Sequence, residues 1–208
     1  MQFNSDYKSL PLDRQNYFKK NIVKSFALSI ISILCTQEVT RGLMYSEWNN
    51  NALYKIGFMY SALDTLGLIM VKKLPLNSKI HHVSTFILSI CNTFVKYDNG
   101  TFWIGLPVYC VLSAYALSVN LFLALRLLYP LEKLRSLLDF SLYSYVLLLA
   151  INWLFQFNIF CKTVYNLNIT FDFILYFLLV IFLAYDDIKL VQFLRHHSNK
   201  LRIKNGGN

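Results

Sequence analysis

"YSALDTLGLIMVKKLPLNSKIHHVSTFIL", residues 60–88, holds two apolar runs joined by a short basic connection. Asp64 interrupts the first run, and His81 and His82 stand side by side near the start of the second. Pro75 suits the first turn of a helix, so the segment reads as a helical hairpin. Two antiparallel helices joined by so short a connection stay neighbours. Titratable groups set inside apolar helices are expensive unless paired, wetted or neutralised. The hairpin therefore predicts that Asp64 meets His81 or His82, directly or through one water.

The rest of the chain sets the hairpin in a membrane. Of the 208 residues, 56% are hydrophobic and only 15% charged, and the mean hydropathy is +0.43. The apolar residues come in long blocks rather than amphipathic stripes, as in a polytopic membrane protein. Six blocks approach the length needed to span a bilayer: 22–40, 52–71, 76–95, 102–127, 138–157 and 171–194. The fourth is long enough to tilt, or to break at Pro107. The sequence thus divides into a basic cytosolic segment (1–21), a transmembrane domain (22–195) and a basic cytosolic tail (196–208). No cleavable signal precedes the first block, which is expected to act as its own anchor.

The net charge of +9 is placed as membrane orientation demands, not as a nucleic-acid-binding surface. Sixteen of the twenty Lys and Arg residues fall at the termini or in the two connections on the same side, and four on the other. That asymmetry predicts six crossings with both termini cytosolic. The sequons Asn99-Gly100-Thr101 and Asn168-Ile169-Thr170 both fall on the opposite side, where glycosylation takes place.

No zinc spacing, phosphate loop or G-x-S-x-G elbow occurs. Four histidines are too few for a many-histidine di-metal site, and neither metal nor cofactor is expected. The four cysteines form no C-x-x-C and read as small buried hydrophobes. Attention falls on polar residues inside the blocks. With 1.5 Å of rise per residue, Asp64, His81, His82, Asn120 and Asp186 lie at one level, in the cytosolic half. His81, Thr85, Ser89 and Asn92 follow helical spacing and make one polar face. Tyr109, Ser113, Ala116 and Asn120 make a second. Such faces either pack together through interhelical hydrogen bonds or line a cavity.

The Tyr60…Asp64 helix, the basic connection and the His81-His82 pair with Thr85 resemble the TLC domain. That family includes ceramide synthases, TRAM proteins and small TLC-domain proteins. Ser113, Asn120 and Asp186 look like further positions of the small members. The resemblance implies an all-α barrel of six transmembrane helices, two inverted three-helix units around a cytosol-facing cavity, in the endoplasmic reticulum. Ceramide synthases follow their His pair with an acidic cluster on the next helix. Here no Asp or Glu occurs between Asp98 and Glu132, which brings the chain nearer the small members.

Three functions stay open on this reading. One is binding or sensing of an acyl lipid in lipid homeostasis. Here Tyr60, Thr85, Ser89, Asn92, Ser113, Asn120 and Asp186 line the site, and membrane lipids are the partners. Another is acyl transfer from acyl-CoA to a lipid, with His81, His82 and Asp64 catalytic. The last is a translocon-associated or chaperone-like role, with the His pair as a structural knot.

Overall fold

The computed structural model describes residues 2–98 and 100–206, with side chains described for 6–98 and 100–203. The sequon residue Asn99 lies outside them. The structure is 85% helical, with no strand among the described residues. The helices are α1 (Gln2–Ser9), α2 (Leu12–Tyr45), α3 (Asn50–Met70), α4 (Leu76–Asn92), α5 (Gly105–Tyr115), α6 (Leu117–Leu125), α7 (Arg135–Tyr165) and α8 (Phe171–Gly206). Short 3-10 turns precede α5 and α7.

Local chemistry sets the boundaries. Ser46 ends α2 in the left-handed conformation, with φ of 60°. Asn49 then caps α3 by accepting from the Ala52 amide. Pro75 stands immediately before α4. Residues 12–21, read from sequence as part of a polar segment, are the opening turns of α2.

Packing runs in a closed ring. α2 packs on α3, α3 on α4, α4 on α8, and α8 on α7; α7 packs on α5 and α6, and both return to α2. The α5–α6 unit bends by 41°. The break falls at Ala116 (φ −77°, ψ 22°) and not at Pro107, as the sequence suggested. Pro107 sits in the first turn of α5, where its missing amide costs no intrahelical bond.

By length and composition two helical segments qualify to cross a membrane, Leu12–Tyr45 and Leu131–Tyr165, or three if the bent α5–α6 pair counts as one. This is fewer than the six expected. α4 has 17 residues, and α3 carries Lys55 and Asp64. In α8 the apolar run lies between Asp172 and the Asp186-Asp187-Lys189 group. Apart from the length of α4, the shortfall comes from charged residues within otherwise apolar helices.

Unlike a water-soluble bundle, the molecule has apolar side chains on its outside as well as in its core, where Leu28, Ile31, Leu88 and Leu183 pack together. Large apolar side chains such as Phe26 and Leu154, each 70% exposed, cover the outside. The interior holds Lys24, Asp64, His81, His82, Asn152, Gln156 and Asp187, all buried. Gln156 on α7 is satisfied there: it donates to the Gly105 carbonyl (2.8 Å) and accepts from the Tyr176 hydroxyl (3.0 Å).

Candidate functional site

Asp64, fully buried on α3, is the hub of the interior network. Its Oδ1 is ion-paired with Lys24 of α2 and lies 3.1 Å from His82 Nδ1. Its Oδ2 accepts from the Thr85 hydroxyl at 3.2 Å and lies 3.6 Å from His81 Nε2. The predicted Asp64–histidine contact is therefore present, to both rings. His81 turns its other nitrogen to α8, where Nδ1 is 3.2 Å from Asp186 Oδ2. Asp186 Oδ1 in turn accepts from Asn77 Nδ2 at 2.5 Å and from Ser78 Oγ at 3.4 Å. One charged chain thus crosses α2, α3, α4 and α8.

Backbone shape permits this convergence. A Cβ placed on Gly67, one turn beyond Asp64, would lie 2.9 Å from Lys20 Cε and 3.5 Å from His82 Nε2. A side chain there would make the flexible end of Lys20 shift and would sit in ordinary van der Waals contact with His82. On α4, His81 and Thr85 are one turn apart and share a face, while His82 reaches Asp64 from the adjacent position. The two imidazoles meet edge to face, with centroids 5.4 Å apart.

A cavity of about 340 Å³ opens over this network. His81, His82, Lys24, Tyr60, Ser113, Asn120 and Asp186 all line it. Below it, a smaller apolar chamber of about 40 Å³ is lined by Leu53, Ile56, Leu88 and Leu183, with Cys35 and Cys110 in its wall. Tyr60 and Tyr109 border both spaces and mark the step from polar to apolar. Thr85, Ser89 and Asn92 face the lower chamber, not the polar cavity. Asn92 is occupied in holding the fold: it donates to the Leu53 carbonyl (3.5 Å) and accepts from the Tyr97 hydroxyl. Of the four cysteines read as small buried hydrophobes, Cys35 and Cys110 are buried, whereas Cys91 is half-buried and Cys161 exposed.

Several groups at the site were not singled out from the sequence. Lys24 is the most consequential. It lies just inside the first apolar block, and a lysine there is itself a signal of a buried partner. Lys20, one helical turn earlier, lines the same cavity. Asn77 and Ser78 occupy the first turn of α4, before the histidines. Asp187 is buried and accepts from the Tyr145 hydroxyl at 2.7 Å. A third cavity, of about 330 Å³, lies among the 100–104 and 159–172 segments and holds Asn168 of the second sequon.

Asp64, His81 and His82 offer ligand atoms within 4.8 Å of one another. The Lys24 ammonium already occupies Asp64 Oδ1, and its charge opposes a metal cation in the same place. The arrangement is that of a polar clamp: two imidazoles and an ammonium held in place by two carboxylates, beneath a cavity open at one end. Comparison of the chain with family models, curated proteins and solved structures gives no match.

Proposed function

We propose that this is an integral membrane protein of the TLC-domain type that binds or senses an acyl lipid in lipid homeostasis. The observation that carries this reading is a pair of neighbouring spaces, a cavity lined by charged groups and a small apolar chamber, with Tyr60 and Tyr109 in the walls of both. An amphipathic molecule matches that polarity, with its headgroup on the His81–His82–Asp186 layer and apolar carbons toward Leu88 and Leu183. The ring α2–α3–α4–α8–α7–α5/α6 supports a barrel of six crossings. On this proposal the polar cavity opens to the cytosol and the membrane is that of the endoplasmic reticulum. The test is mass spectrometry of lipids that co-purify with the protein. A defined lipid class should be enriched with the wild type and reduced with the His81→Ala/His82→Ala double variant. Equal lipid content in both overturns the reading.

A second reading is acyl transfer from acyl-CoA. It is favoured by His82, whose Nδ1 lies 3.1 Å from Asp64 and whose ring lines the cavity. A carboxylate on one ring nitrogen fixes the tautomer and leaves the other nitrogen as base or acyl acceptor. Purified protein incubated with labelled acyl-CoA and a panel of lipid amines and lysophospholipids should then yield labelled lipid. Absence of product, with lipid still bound, leaves the binding reading.

A further inference from the structure

The mouth of the polar cavity carries more positive charge than its own carboxylates use. Lys20 on α2, Arg126 at the end of α6 and Lys189 on α8 all line it. None of the three makes an ion pair among the described residues. Lys20 lies 5.9 Å over the Tyr17 ring and Lys189 5.3 Å over the Tyr185 ring. Arg126 stacks on Phe193 at 4.7 Å, and its Nε is buried without a hydrogen-bond partner. The acidic groups nearby are already engaged. Asp64 is held by Lys24 and Asp186 by Asn77, Ser78 and His81, while Asp187 accepts from Tyr145 through Oδ1 and keeps a buried Oδ2 without a hydrogen-bond partner.

We infer that this mouth binds the phosphate of an anionic phospholipid headgroup, gripped by Lys20, Arg126 and Lys189. The inference rests on the lipid-binding reading and names the headgroup class that reading leaves open. Three cations from three helices around one concave space suit a compact multivalent anion, and a guanidinium is the preferred partner of phosphate oxygens. Stacking on Phe193 restricts Arg126, so little of its rotamer freedom is left to lose on binding. A zwitterionic headgroup brings its own cation beside Lys20, Arg126 and Lys189, in a cavity whose lining holds four Lys and Arg residues against Asp186 and Asp187. Discrimination therefore follows from charge.

The experiment compares phosphatidic acid with phosphatidylcholine of the same acyl chains. Each is titrated into purified full-length protein in detergent and followed by native mass spectrometry. Phosphatidic acid is expected to bind about tenfold more tightly or better, a difference of about 1.4 kcal/mol. The preference should fall as salt rises. Lys20→Gln/Arg126→Gln should abolish it, while Lys20→Arg keeps it. Lys19→Gln is the control, removing the same charge from the exposed neighbouring position, and should change nothing. Equal binding of the two lipids overturns the inference while leaving lipid binding intact. A preference that survives in the double variant also overturns it. Binding of neither lipid removes both readings. Displacement of phosphatidic acid by glycerol 3-phosphate at equal concentration assigns the mouth to a soluble phosphate and overturns the lipid source.

Discussion

At the scale of the residue, the Lys24–Asp64 pair decides what the interior can tolerate. Each charge is costly to bury alone and acceptable only beside the other. Lys24→Met strands a carboxylate between two imidazoles, and is expected to cost about 3–5 kcal/mol of stability. Lys24→Met/Asp64→Leu removes both charges and should recover most of that loss, as read from thermal unfolding of detergent-purified protein. If the double variant is as unstable as the sum of its singles, the pair is not coupled. The Asp64–histidine contacts were legible in sequence because a short connection makes α3 and α4 neighbours and depth can be counted along both. Lys24 was not. It comes from a helix whose packing partners are chosen by tertiary structure, and its charge had been attributed to membrane orientation. The same holds for Arg126, which counted toward topology until the cavity placed it at a mouth.

At the scale of the element, the polar faces of α4 and α5–α6 were foreseen from helical spacing, but their work divides in a way periodicity does not express. The upper part of the α4 face, His81, belongs to the charged network, whereas Asn92 at the lower end ties α3, α4 and the Tyr97 segment together. A Cβ on Gly57 would stand 2.6 Å from Asn92 Nδ2. Gly57→Ala should therefore displace the amide and cost about 1–3 kcal/mol through overpacking. Combining it with Asn92→Ala should cost less than the two separate losses added, because one clash underlies both. Additive losses in a thermal melt would show that the residues do not interact. The position of the bend in α5–α6 was misread for a physical reason. Proline is harmless in a first turn, and the break falls at Ala116, a buried residue that is no breaker by its chemistry.

At the scale of the whole molecule, the all-helical class and the apolar character were plain from composition. The number of crossings was less so. Charged residues inside the ring lower the apolarity of the helices that present them, leaving two helical segments, or three with the bent pair, that qualify by length and composition. The proposed arrangement of six crossings makes a direct prediction. A glycosylation acceptor appended after Asn208 should remain unmodified in microsomes, because an even number of crossings returns the C-terminus to the side of the N-terminus. Modification of that acceptor would require an odd number or a reversed orientation.

The Lys24–Asp64 pair also has a history within each molecule, because α2 is made before α3. While only α2 has left the ribosome, Lys24 has no counter-charge, and its long stem lets the ammonium reach back to the water boundary. In the proposed six-crossing arrangement α2 is then expected to ride high, with its basic end drawn outward, and to settle inward once Asp64 on α3 offers the ammonium a partner at depth. Chains truncated before Asp64 and released from the ribosome should therefore hold α2 nearer one face of the bilayer than released chains that extend through α4, a displacement readable from the minimal distance at which engineered acceptor sites flanking α2 are glycosylated.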